Sequence, residues 1–290
     1  MKPKDILSLL GIRPAARTYG SAVRTFDLPK DGRVEYAQWL HPRETEKAIR
    51  QDAVDALRGF IRPGDVAIDI GAHTGDSTLP IALAAGPTGC VLALEPNRFV
   101  YPVLARNAAL NTEKARIVPL MFAATPEDGT VEFEYSDAGF CNGGRHEGIS
   151  RWRHAHAFRL AVEGRNLDRY LRAHHAELLP RLRYIKVDAE GFDLTILGTL
   201  DRLIAERRPF IKAEVYKHTG RERRECLFDF LAAHGYAVHH FDGEARYRGE
   251  RLERSDVMRW AHYDVFCDPG TEAPRAGTAA SRAVAAAPVS

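Results

Sequence analysis

The chain has 290 residues, of which 45% are hydrophobic, and its 41 basic side chains nearly balance 39 acidic ones for a net charge of +2. That is enough apolar material for one well-buried α/β domain with extensions, and it offers no global field for nucleic acid or an anionic membrane. No run of about 18 apolar residues exists to span a membrane, and the patch Ile6 to Leu10 is shorter than the roughly 7–15 apolar residues of a secretory signal, so a cytoplasmic protein is expected.

Residues 1–43 show no sustained periodicity and read as an N-terminal extension that packs on or lids a core. In 44–60, Ile49, Ala53, Val54, Leu57 and Phe60 fall on one face at helical spacing. Val66 to Ile70 reads as a buried strand, 76–85 as a helix with Pro80 in its first turns, and Cys90 to Leu94 as the next strand. A helix over 97–110, a strand over 116–122 and an added edge strand over 131–135 follow. The segment 136–158 is glycine-rich, basic and aromatic, and long for a loop inside a compact domain. Order returns with a strand over 183–187, a helix over 194–205, a strand over 210–215 and a helix over 223–234. Strands over 236–241 and 262–267 have no helix between them and are expected to close the sheet as an antiparallel pair. The working domain therefore runs over 44–268, and the Ala-, Pro- and Ser-rich tail 269–290 is expected to be disordered. Cys90, Cys141, Cys226 and Cys267 lie far apart with no CxxC pair, so neither a zinc site nor a disulfide framework is expected.

Alternation of strand and helix implies a doubly wound, mostly parallel sheet, with its ligand beyond the carboxyl ends of the strands. The turn Asp69-Ile70-Gly71-Ala72-His73-Thr74-Gly75 lies at such an end. Glu95 closes the second strand about 20 residues on, where an acid accepts hydrogen bonds from a ribose diol. An adenosine-type ligand follows, either a nicotinamide dinucleotide or S-adenosyl-L-methionine. The spacing is GxxxG rather than GxGxxG, and Asp69 and Asp76 would repel a pyrophosphate while suiting an ammonium and a sulfonium. The charge argument therefore favours S-adenosyl-L-methionine over a dehydrogenase cofactor, with a simple helix cap as the plainer role for Asp76.

Downstream, Asp188 and Glu190 end a strand, and alternation would set both on one face. A carboxylate there is placed to take the proton of an acceptor hydroxyl, or else to cap a helix and pair with a lysine. Glu214 closes the next strand and His218 follows it, as an acceptor contact and a second candidate base. The three carboxylates would hold a divalent cation only if they converged, and ion pairing with Lys212 or Lys217 is the favoured alternative, so no metal is assigned. In the 136–158 segment, Asn142 is placed in a close-approach turn, and Arg145 and Trp152 offer the cationic and aromatic surface a sugar or acidic acceptor needs.

The blocks AIDIGAHTGDSTL, VLALEPNRFVYPVLARNAALN and YIKVDAEGFDLTILGTL, in that order, resemble the FkbM family of S-adenosylmethionine-dependent methyltransferases over about residues 44–241. The resemblance implies a class I methyltransferase fold, Rossmann-like, and O-methylation of a sugar, glycoconjugate or polyketide hydroxyl. It assigns Asp69, Gly71, Ala72, His73 and Gly75 to the donor turn, Glu95 with Pro96 and Asn97 to the ribose, and Asp188, Glu190 and Gly191 to the downstream acidic block. Family members often carry Asn where His73 stands and an aliphatic residue at Ala189. A small-molecule or glycan acceptor is implied, and homo-oligomer formation is compatible. A donor-binding scaffold without turnover is the alternative from another class.

Overall fold

The computed structural model describes residues 16–135, 138–140, 143–144 and 158–270. Asn142, Arg145 and Trp152, and the tail beyond Gly270, lie outside the described residues. In chain order the elements are β1 (Ser21–Leu28), β2 (Gly32–Trp39), α1 (Gln51–Arg58), β3 (Val66–Ile70), α2 (Thr78–Ala85), β4 (Cys90–Leu94), α3 (Tyr101–Ala109), β5 (Ile117–Leu120), β6 (Ala123–Ala124), β7 (Gly129–Tyr135) and β8 (Gly143–Gly144). The second half holds β9 (Phe158–Arg165), α4 (Leu167–His174), β10 (Leu182–Val187), α5 (Asp193–Thr199), α6 (Asp201–Arg207), β11 (Phe210–Val215), α7 (Arg221–Ala233), β12 (Ala237–Phe241), β13 (Arg248–Arg251) and β14 (Tyr263–Asp268).

An eight-stranded sheet in the order β13-β12-β14-β11-β10-β3-β4-β5 forms the centre. Strands β11, β10, β3, β4 and β5 run parallel, while β14 lies antiparallel between β11 and β12. Every residue of β3 and β4 is buried, as the unbroken apolar runs VAIDI and CVLAL require of strands covered on both faces. One apolar cluster packs α5, α6 and α7 against the sheet, and a second packs α1 and α2 against the other face. The expected antiparallel closure by the last two strands is present as β12 and β14, and β13 adds a further edge.

Four expectations are corrected. The helix over 44–60 is confined to α1. Arg50 is extended, and the backbone of 45–47 is tied to β2, with Lys47 N donating to Gln38 Oε1 at 2.7 Å and Gln38 Nε2 donating to the Thr45 carbonyl at 3.2 Å. Those bonds hold the segment away from helical geometry and lay it across the strand ends. The helix over 194–205 is two helices meeting at Leu200. The strand over 131–135 is not an edge of the main sheet; β7 pairs with β9 and β8 in a separate sheet of order β6-β9-β7-β8. The stretch 21–39, within the extension that shows no sustained periodicity and in which no element is expected, is an antiparallel hairpin.

That hairpin is part of the body. Asn107 on α3 accepts from Ala37 N at 2.6 Å and donates to the Ala37 carbonyl at 3.1 Å, and Asn111 does the same to Glu35 at 2.8 Å each way. Two side-chain amides thus replace a neighbouring strand along the outer edge of β2 and satisfy its backbone groups. Tyr36 reaches the donor turn, its hydroxyl 2.6 Å from Thr74 Oγ1.

Candidate active site

A cavity of about 450 Å³ opens beyond the carboxyl ends of β3, β4 and β10. That volume falls within the roughly 300–1,000 Å³ of small-molecule sites. Its wall is assembled from the donor turn, the end of β4, the acidic block after β10, and the 43–47 segment that β2 holds in place.

The donor turn is built by left-handed residues. Gly71 has φ 78° and Gly75 φ 92°, and His73 enters the same region at φ 49°. A Cβ on Gly71 would lie 2.1 Å from the Asp188 backbone oxygen, so the glycine is required by the close approach of β3 to β10 as well as by the cavity it lines. At Gly75 a Cβ would press on Leu104 Cδ1 at 3.0 Å, a packing requirement. Ala72 is buried in the apolar core and its N–H donates to the Leu94 carbonyl at 2.9 Å.

Glu95 lies at the heart of the ribose assignment. Its carboxylate is buried, with Oε2 accepting from His73 N at 3.0 Å and Oε1 from Asn97 N at 2.8 Å. Each oxygen keeps a lone pair for a ribose hydroxyl. Burial raises its pKa, opposed by His73 and by the two backbone donors. Pro96 lines the cavity. Asn97 instead ties the β4 end to the 138–140 segment, donating to the Phe140 carbonyl at 2.8 Å.

The two aspartates of the charge argument differ in place. Asp69 is fully buried and accepts from Ser77 Oγ (2.9 Å), Thr78 Oγ1 (2.7 Å) and Lys186 Nζ (3.0 Å). It anchors the turn to α2 from below and does not line the cavity. Asp76 does line it, and its carboxylate lies 2.9 Å from Lys47 Nζ. Burial would raise the Asp76 pKa, but Lys47 and His73 outweigh it and hold the group below the usual carboxylate range.

The acidic block is not a strand continued. β10 ends at Val187, and Glu190 has φ 52°, so alternation does not govern the two carboxylates. Asp188 and Glu190 nonetheless both line the cavity. Asp188 is 46% exposed, 3.7 Å from Lys186 Nζ. Glu190 is more enclosed and hydrogen-bonds Tyr216; burial first, and the Asp188 charge second, raise its pKa. Beneath them lie Asp193 and Glu214. Asp193 accepts from the N–H groups of Glu214 (3.0 Å) and Gly191 (3.3 Å). Burial and Asp188 push Asp193 up to about 7 and, with Asp193 and Glu190 added, Glu214 up to about 9. Glu214 is only 7% exposed; of the expected partners Lys212 or Lys217, Lys212 binds Asp264 at 2.7 Å, and His262 Nε2 lies 3.6 Å from Glu214 Oε1. Among the described residues no group of three His, Cys, Asp or Glu side chains is placed to hold a metal ion. His218 is exposed beside Tyr216 and does not line the cavity.

Three contributors escape motif reading. Lys47 comes from a segment far upstream of the donor turn. Lys186 is a buried cation within the sheet, paired with Asp69, and Tyr135 reaches the cavity from the second sheet. The Lys186 signal was legible as the one cation in the apolar end of LRYIKV.

The geometry fits an adenosylated sulfonium donor: a buried carboxylate with spare lone pairs, a turn whose backbone lines the cavity, and more carboxylates on the wall near Lys47 and Lys186 than a pyrophosphate would tolerate. Among the described residues no helix is long and apolar enough to cross a membrane. No curated protein sequence matches the chain. Among solved structures, the methyltransferase FkbM from Methylobacillus flagellatus KT is 17% identical with a TM-score of 0.43, covering 73% of this chain and 50% of that one, so the chain spans about half its length. Fibrillarin from Aeropyrum pernix, in complex with natively bound S-adenosyl-L-methionine, is 12% identical with a TM-score of 0.40, covering 87% and 96%. P. horikoshii TYW2 in complex with MeSAdo is 14% identical with a TM-score of 0.41, covering 91% and 79%. A family model described as the methyltransferase FkbM domain matches residues 69–241, which take in the donor turn, Glu95 and the acidic block. With that match over more than half of its length, the chain belongs to the methyltransferase FkbM family.

Proposed function

We propose that the protein transfers a methyl group to a hydroxyl of a sugar, glycoconjugate or other natural product, as a cytoplasmic enzyme acting on a small-molecule or glycan acceptor. The observation that carries this reading is Glu190: a carboxylate on the cavity wall, raised in pKa by burial and by Asp188, and held by Tyr216 in a left-handed turn. A hydroxyl is a poor nucleophile until its proton is taken in the transition state, and a carboxylate with a raised pKa is a better base for that proton.

In this reading Glu95 holds the ribose diol and the Gly71 turn carries the donor across the strand ends. The bound donor supplies an electrophilic methyl on a cationic sulfur. Glu190 accepts the hydroxyl proton as the oxygen attacks, and Asp188 orients the hydroxyl and favours the positive charge beside it. Holding the oxygen in line with the methyl accounts for much of the acceleration, because positioning converts a bimolecular step into an intramolecular one. Glu214, buried behind Glu190 and Asp188, shapes the acceptor end through its charge state.

The test is turnover of methyl-labelled S-adenosyl-L-methionine against a panel of sugars, glycosides and polyketide alcohols, with the product's methyl placed by NMR. Label on oxygen supports the reading, and label only on nitrogen or carbon overturns it.

A further inference from the structure

Lys47, which lies outside the family match over residues 69–241, pairs with Asp76, which lies inside it. Lys47 belongs to the 43–47 segment that Gln38 pins to the end of β2. Its ammonium lies 2.9 Å from Asp76 Oδ2 and 3.2 Å from Glu44 Oε1, and all three residues line the cavity. His73 Nε2 lies 3.9 Å from the other Glu44 oxygen.

The place of this cluster relative to Glu95 decides what it meets. Glu95 closes β4, on one side of the turn at the end of β3. Pro96, Phe122 and Tyr135 line the cavity on the β4–β5 side, an apolar wall that would suit a nucleoside base attached to a ribose at Glu95. An amino-acid arm on the opposite side of the ribose would then pass Gly71 and meet His73, Asp76 and Lys47, which line the cavity. That arm ends in an α-amino acid, an ammonium and a carboxylate on one carbon.

We infer that Lys47 and Asp76 form the amino-acid clamp of the donor site, Lys47 taking the α-carboxylate and Asp76 the α-ammonium, an assignment that rests on the donor reading above. The charges fit it. A lysine ammonium has three hydrogens, and Glu44 and Asp76 engage two, leaving one for the donor carboxylate. One cation between two carboxylates gives the cluster an excess of negative charge, which suits a donor that carries a net positive charge. The upstream segment thereby becomes a working part of the site, and its departure from helical geometry has a purpose: a helix over 44–50 would carry Lys47 and Glu44 away from the bonds to β2 that aim them.

The test is calorimetric titration of the full chain with two ligands differing only in that arm, S-adenosylhomocysteine and 5′-methylthioadenosine. For Lys47→Met, affinity for S-adenosylhomocysteine is expected to fall about tenfold to hundredfold, the range of a charge-assisted hydrogen bond. Affinity for 5′-methylthioadenosine is expected to stay within about twofold, which also reports an intact site. Lys47→Arg, which keeps the charge, is expected to recover most of the lost affinity. Equal losses for both ligands would make Lys47 a structural residue and overturn the clamp, as would unchanged binding of S-adenosylhomocysteine. Wild-type protein that binds neither ligand would overturn the donor reading itself.

Discussion

Lys186 and Asp69 stand opposite each other on adjacent parallel strands, Nζ 3.0 Å from Oδ1, with 7% and 0% of their side chains exposed. The pair joins the two signature blocks of the chain, since Asp69 opens the donor turn and Lys186 precedes the acidic block by two residues. Asp69 also accepts from Ser77 and Thr78, so one buried carboxylate fixes the turn, the start of α2 and β10 together. Removing one member leaves a buried charge without its partner, which costs about 3–5 kcal/mol. Lys186→Met should therefore lower unfolding free energy by about that amount in a denaturant titration. A loss under about 1 kcal/mol would mean the pair contributes little to the fold.

Gly71 sets a second expectation. A Cβ there would meet the Asp188 carbonyl oxygen at 2.1 Å, and the backbone is left-handed at φ 78°. Left-handed backbone costs an L-residue about 1–2 kcal/mol, and overpacking adds about 1–3. Gly71→Ala should thus be destabilised by about 2–5 kcal/mol, besides losing donor affinity. A variant with the wild-type melting temperature would show that β3 and β10 can separate without penalty.

Stability should also depend on pH through the carboxyls behind the acidic block. Asp193 and Glu214 are pushed up to about 7 and about 9 from ordinary values of 3.8 and 4.5. Between those limits the folded chain holds protons that the unfolded chain has released, so their contribution is full below about pH 4 and is lost as pH rises through the folded values. Unfolding free energy should fall between about pH 5 and 9, and the slope should flatten in Glu214→Gln. A slope identical in the variant would remove Glu214 from this linkage.

The proposed base gives a kinetic expectation. Glu190→Gln should keep S-adenosylhomocysteine affinity and melting temperature while turnover falls by roughly 10²–10⁴-fold, the usual contribution of a general base. Activity of the wild type should rise with pH through a value above that of an ordinary glutamate, because burial and Asp188 favour the protonated form. Full turnover in the variant would exclude Glu190 as the base.

Much of this was legible in the sequence. Unbroken apolar runs such as VAIDI and CVLAL gave the parallel centre, because strands covered on both faces need no polar alternation. Glycine spacing with Glu95 gave the ribose end. What escaped depended on contacts distant in sequence. The β1–β2 hairpin carries a readable turn in Lys30-Asp31-Gly32, but β2 is completed by Asn107 and Asn111, which no local pattern announces. The helical spacing of 44–60 extends into residues 44–50 only through Ile49, and Gln38 holds that part out of the helix with two bonds to its backbone. For Asp69 the strand-end location is visible in the sequence, while its partners, 8, 9 and 117 residues away, are not.

The most direct test of the central claim is calorimetric titration of the wild type and Glu95→Gln with S-adenosylhomocysteine and with NAD⁺. The account predicts one S-adenosylhomocysteine bound per chain, no binding of NAD⁺, and a loss of about 1.5–3 kcal/mol in the variant, as for a charged hydrogen-bond acceptor. The variant should also melt at lower temperature, because Glu95 satisfies the N–H groups of His73 and Asn97. Tight binding of NAD⁺, or S-adenosylhomocysteine affinity unchanged in Glu95→Gln, would contradict a donor site at the ends of β3 and β4.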